Sequence, residues 1–140
     1  MANDNNVALI EAMYDAYAQG NSQFILDRIT EDVDWVNEGP ESIPYAGTFK
    51  GRTDVQRFFQ ALGSTVDNAR VTAEDFIAQG EKVVATGRFS ATVKATGKRI
   101  DVPIAHVFTV RNGKIARWVG YADTARLAEA YAVSGKSAAR

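Results

Sequence analysis

The chain has no cysteine, a single histidine and three prolines in 140 residues. Without cysteine there is no disulfide framework, no thiolate nucleophile and no Cys-ligated metal. One histidine leaves carboxylates as the only other common ligands, and no Asp/Glu cluster has calcium-loop or zinc spacing, so no metal is expected. An excess of charge of one sign is also missing. The 16 Lys and Arg are interspersed among 17 Asp and Glu, for a formal net charge of -1. A phosphate backbone calls for clustered, unopposed cations, so nucleic acid is not an expected partner. "GTFKG" precedes a helix but lacks the glycine spacing and the strand-turn-helix setting of a phosphate loop, so no nucleotide cofactor is expected either. No stretch approaches the ~18 consecutive apolar residues of a membrane span. The N-terminal MANDNN lacks the basic start and apolar run of a secretory signal. The expectation is a cytoplasmic protein without a membrane partner.

What is present is ordinary in amount and informative in order. A hydrophobic fraction of 46% over this length supports one domain spanning residues 1–140, with a real core. Val7, Ile10, Met13, Tyr14 and Tyr17 recur at spacings of three and four, which predicts an amphipathic helix over residues 5–18, ending at Gly20-Asn21. Ser22 reads as the N-cap of a short second helix burying Phe24, Ile25, Leu26 and Ile29. A strand follows over residues 33–37, then a Pro/Gly loop with an extended piece around residues 45–49. Thr53 and Gln56 have the spacing of a capping box, and Val55, Phe58, Phe59 and Leu62 form the apolar stripe of a third helix ending near Gly63.

Beyond that point helical periodicity disappears for some sixty residues. Val83, Ala85, Gly87, Phe89, Ala91 and Val93 alternate with a wetter set, and Asn112-Gly113 is a hairpin signal between two runs of β-formers. About four antiparallel strands are expected, with a closing helix over residues 124–131 and a frayed, polar SGKSAAR end. Helices followed by a meander of strands indicate an α+β fold. The expected form is a cone-shaped, curved antiparallel sheet with the three N-terminal-half helices on its concave face, enclosing a pocket.

Inside that pattern the lone histidine is out of character. His106 shares a strand face with Ile100, Val102, Ile104, Phe108 and Val110. Such a histidine is either a core residue satisfied by a carbonyl or hydroxyl, or a group lining a pocket, where an ordinary pKa near ~6.5 suits it to acid/base work. Asp123 has a similar double reading: N-cap of the last helix, or a carboxylate that orients His106 from the neighbouring strand. Its facing depends on whether a bulge near Gly120 switches the strand's phase. Trp35 and Tyr14 are either core aromatics or pocket walls with polar tips. Asn37 is either a strand end or a pocket donor. Phe59, Phe108 and Tyr121 complete the expected substrate-binding wall.

The order of elements, with "EDVDWVNEGP", "IPYAGTFKGRTDVQRFF", "AQGEKVVATGRFSATVKATGKRI", "AHVFTVRNGKIARW" and "YADTARLAEA", resembles the nuclear transport factor 2-like superfamily over nearly the whole chain. Within it, the pattern is similar to SnoaL-like, ketosteroid isomerase-related proteins. The resemblance implies reacting groups inside the cone. Tyr14 is similar to the tyrosine of the isomerases, whereas their two carboxyl groups find no match. The polyketide cyclase branch implies His106 and Asp123 as the acid/base pair. Together these readings point to a cofactor-independent acid/base enzyme of isomerase, cyclase or hydratase type, acting on a small, largely apolar carbonyl-containing or polycyclic molecule. In that reading His106 moves the proton, Asp123 orients it and Tyr14 donates to the developing oxyanion. The alternative is a non-catalytic small-molecule binding or dimerisation module. Relatives pair through the outer face of the sheet, which implies a homodimer in which Arg117 and Trp118 face the partner.

Overall fold

Asn21, one residue before the expected cap, starts the second helix. Its side chain accepts a hydrogen bond from the Phe24 N–H at 3.2 Å, and Gly20 at φ 75° supplies the left-handed turn that ends the first helix. The computed structural model describes residues 2–133. The helices are α1 (Ala2–Ala18), α2 (Ser22–Leu26), α3 (Gly51–Thr65) and α4 (Thr124–Tyr131). The strands are β1 (Ile29–Asn37), β2 (Gly47–Lys50), β3 (Val66–Gln79), β4 (Lys82–Val93), β5 (Arg99–Arg111) and β6 (Lys114–Ala122). The SGKSAAR run lies outside the described residues.

Three local expectations change. Ile29 belongs to β1, not to the second helix, because it pairs with Ile115 across the sheet. The Thr53/Gln56 capping box does not form. Lys50 is the N-cap of α3, and its N–H is taken by the Asp54 carboxylate at 3.1 Å. The third helix also runs to Thr65 rather than stopping near Gly63.

The six strands form one sheet in the order β2-β1-β6-β5-β4-β3. It is mixed rather than wholly antiparallel, since β1 runs parallel to β6 while the other neighbours are antiparallel. The parallel pair arises because the chain crosses from β1 to the far edge by way of β2 and α3 and returns along the meander β3 to β6. Against the inner face lie α1, on β3 and β4, and α3, on β1, β2 and β3, with α2 packed between the two helices. Val83, Ala85, Gly87, Phe89, Ala91 and Val93 all bury on that face, as their alternation predicts. Gly87 is required there, since a Cβ at this position would run into the Thr72 carbonyl of β3. At the other end, α4 docks on β5. Thr96 Oγ1 donates to the Ala130 carbonyl at 2.7 Å, and Lys98 Nζ donates to the Glu129 and Ala132 carbonyls, so the β4–β5 hairpin supplies the helix's C-terminal partners. No helix among the described residues is long and apolar enough to cross a membrane.

Candidate functional site

The imidazole of His106 has room because its neighbours across the sheet are small. It stands between Ala85 on β4 and Gly120 on β6. A Cβ on Gly120 would overlap the Trp118 indole and lie 2.8 Å from Asn37 Oδ1, so the missing side chain is what lets that indole lie against the strand. Trp118 stacks on Trp35 with ring centroids 4.6 Å apart and meets His106 edge-on at 4.9 Å. Opposite the sheet, α1 brings Tyr14 down onto the same spot, and Tyr14 Oη lies 2.7 Å from His106 Nδ1. Phe108 packs edge-on against the Tyr14 ring at 6.1 Å and fixes its tilt.

These residues line a cavity of about 90 Å³. One water needs roughly 10–15 Å³ measured the same way, so the space exceeds a single hydration site several-fold. Its wall is built from Met13, Tyr14, Tyr17 and Ile25 on the first two helices, Phe58, Phe59 and Leu62 on α3, Leu127 on α4, and Trp35, Asn37, Tyr45, Val71, Phe89, Ile104, His106, Trp118, Tyr121 and Ala122 from the strands and the loop. No carboxylate, ammonium or guanidinium is among them.

The electrostatics follow from that enclosure. Burial disfavours the imidazolium and pulls the His106 pKa down to about 3. The same desolvation pushes Tyr17 up to about 12 and raises Tyr14 well above the ordinary phenol range. Tyr45 is raised too, by burial first and by the neighbouring Tyr131 second. At neutral pH the wall is therefore uncharged throughout. Trp35 Nε1 is buried and has no hydrogen-bond partner among the described residues. Asn37 spends its amide N–H on the Tyr45 carbonyl at 3.1 Å, which pins the loop to the end of β1.

Of the residues singled out in the sequence, the structure brings Tyr14, Trp35, Asn37, Phe59, His106 and Tyr121 to the cavity, with Tyr121 half-exposed. Two others lie elsewhere. Phe108 is fully buried behind Tyr14 and His106 and does not line the space. Asp123 is the N-cap of α4: its carboxylate accepts from the Arg126 N–H at 3.2 Å, with the Arg126 guanidinium 3.9 Å away, and it makes no bond to His106. The expected His106–Asp123 pair is thus replaced by His106–Tyr14. Trp118 is also corrected, from a partner-facing position to the inner wall, at 5% exposure. The physical reason is a bulge. Thr109 pairs with Arg117 but Val110 pairs with Ile115, so Ala116 is an extra residue that reverses the phase of β6 well before Gly120. Counting in twos from Ile115 therefore misplaces Trp118, whereas Tyr121, near the strand end, still lines the cavity. Tyr45 was missed because it follows a proline in a segment read as loop; its size between Pro44 and Gly47 was the available signal.

A curved α+β layer pair holding an apolar cavity, with the chain's only histidine on its wall, defines a class of small pocket-forming domains. The family is shown by the SnoaL-like domain model, which matches residues 10–118, and the chain belongs to that family. No curated protein matches it. Among solved structures, the chain is similar to an NTF2-like protein from Burkholderia xenovorans at 27% identity and a TM-score of 0.82, covering 94% of this chain and 99% of that one. It is also similar to TerC, co-crystallised with polyporic acid, at 26% identity and a TM-score of 0.83, covering 91% and 98%. A SnoaL-like polyketide cyclase assignment accompanies a Jannaschia protein of the same fold at 17% identity and a TM-score of 0.81, covering 96% and 94%.

Proposed function

We propose that the chain is a cofactor-independent acid/base catalyst whose cavity takes a small, largely apolar molecule bearing a carbonyl group. The observation that carries this reading is the 2.7 Å pair of His106 and Tyr14 on the wall of a cavity without charged side chains. Apolar walls with a few convergent polar groups are the usual make-up of a small-molecule site. The co-crystal of TerC with polyporic acid supports a small organic molecule as the occupant.

Incubating the protein with 2-tetralone in D2O and following loss of the α-hydrogens by NMR tests the reading. Wild type is expected to accelerate exchange by about 10²-fold or more over His106→Asn, the low end of what a positioned general acid or base contributes. A second reading, a binding module without chemistry, is favoured by the apolar wall around His106, which disfavours the imidazolium and makes the ring a weak base on its own. Binding of the ketone with no acceleration would decide for that module.

The homodimer remains part of the proposal. Ile77, Val84, Val107, Val119 and Val36 follow one another through the register as an apolar row across five strands of the outer face, with Val119 itself covered at 3% exposure. Ile77 is 63% exposed at one end of that row. Sedimentation velocity at micromolar concentration should give twice the 15.2 kDa chain mass, and Val107→Lys in the middle of the row should return the monomer. A wild type that sediments as a monomer would end this part of the proposal.

A further inference from the structure

We propose that Tyr14 and His106 act as one neutral proton relay, in which the ring takes a proton from carbon at Nε2 while the tyrosine hydroxyl delivers one to the carbonyl oxygen. This rests on the acid/base reading above and deepens it, because it replaces a lone base and a separate oxyanion donor by a coupled pair.

The geometry supplies each link. Nδ1 is bonded to Tyr14 Oη at 2.7 Å, whereas Nε2 makes no hydrogen bond among the described residues, and both side chains line the cavity. A hydroxyl can rotate and a neutral imidazole has two tautomers, so two arrangements fit the same heavy atoms. In one, Nδ1–H donates to Oη, the phenol O–H is free to point at a ligand, and Nε2 presents a lone pair. In the other, Oη–H donates to Nδ1 and Nε2 carries the proton. A single reaction step converts the first into the second. The substrate α-carbon loses its proton to Nε2 while the C–H electron pair forms the C=C bond and the carbonyl π pair moves onto oxygen. The Nδ1 proton passes to Oη, and the phenol proton passes to that oxygen. The product is an enol, and ring and phenol both end neutral. Running the pair backwards delivers the Nε2 proton to a different carbon, takes the enol proton back through Oη and completes an isomerisation with the relay reset.

Neutrality is the reason the pair must act together. The enclosure that holds His106 down to about 3 makes a free imidazolium costly, and the same enclosure raises Tyr14 and makes a free phenolate costly. Moving all three protons together around one circuit, in that single step, creates neither. Among the described residues the other titratable groups on the wall are Tyr17, Tyr45 and Tyr121, and no carboxylate or lysine lines the cavity.

Because His106 is the only histidine, 15N-histidine labelling reads the ring without assignment. Long-range 1H–15N spectra of the wild type should show a neutral ring from pH 8 down to pH 5. The tautomer ratio should change in Tyr14→Phe, a near-isosteric replacement. In the 2-tetralone exchange assay, Tyr14→Phe, His106→Asn and the double variant should each lose about 10²-fold or more, by similar factors, since parts of one unit are not additive. A ring that titrates near its ordinary value, or Tyr14→Phe exchanging within about threefold of wild type while His106→Asn is inactive, would leave a lone histidine base: the relay falls and the acid/base reading stands. Wild type bound to the ketone and no faster than His106→Asn removes both.

Discussion

Phe108→Ala is expected to lower stability by about 3–5 kcal/mol while leaving the lining of the cavity chemically unchanged. Phe108 is among the fully buried side chains and lies directly behind the pair it supports, edge-on to Tyr14 at 6.1 Å and to His106 at 6.3 Å. Truncation removes the ring's own burial and opens a void, because the strands on either side are fixed by their ladders and cannot collapse into it. His106→Asn at neutral pH should cost far less. Its amide occupies the position of Nδ1 and keeps a partner for the Tyr14 hydroxyl. Urea unfolding at pH 7.5 separates the two. A loss of less than about 1.5 kcal/mol for Phe108→Ala would show that this part of the core repacks, a range ordinarily seen only for volume-conserving changes.

That contrast also shows where sequence reasoning reaches. The period-2 pattern placed His106 and Phe108 on the same face correctly, yet a shared face does not separate a wall residue from one behind it. Depth is set by what the neighbouring strands contribute: Ala85 and Gly120 beside His106 leave space, whereas Val83 and Trp118 beside Phe108 fill it. Alternation along β4 and helix spacing in α1 and α3 were legible because each depends only on local geometry and one buried side. Element order then carried the fold. The phase of β6 was not legible, since a bulge at Ala116 is set by how β6 pairs with β5 across the hairpin and leaves no local mark such as Gly or Pro. Asp123 was lost to the site for a simpler reason. A carboxylate immediately before the helix satisfies the free Arg126 N–H at once, and the Arg126 side chain within the same helix holds it there. The parallel β1–β6 pair was hidden for the same reason as the bulge, because neither strand alone encodes which neighbour it meets.

Acid should destabilise the wild type more steeply than His106→Asn, and the difference should grow as pH falls from about 6.5 towards about 3. The sign follows from the direction of the shift. The unfolded chain binds a proton at His106 near the ordinary value of ~6.5, whereas burial in the fold holds the group down to about 3. Between those values the unfolded state carries one more proton than the native state, so stability falls with decreasing pH. Above the upper value both states are neutral at this residue and the contribution is fully present. The slope is at most about 1.4 kcal/mol per pH unit for one proton, which amounts to a few kcal/mol between pH 6 and pH 4. Carboxylates elsewhere titrate in both proteins, and subtracting the variant's curve from the wild type's removes them. Asparagine has no proton to bind in this range, so the residual curve belongs to the ring alone. Equilibrium unfolding at half-unit intervals of pH measures it. Parallel curves for the two proteins between pH 6 and pH 4 would mean that the imidazole ionises as easily inside the fold as outside, which a half-buried group on an apolar cavity wall beside a neutral tyrosine should not do.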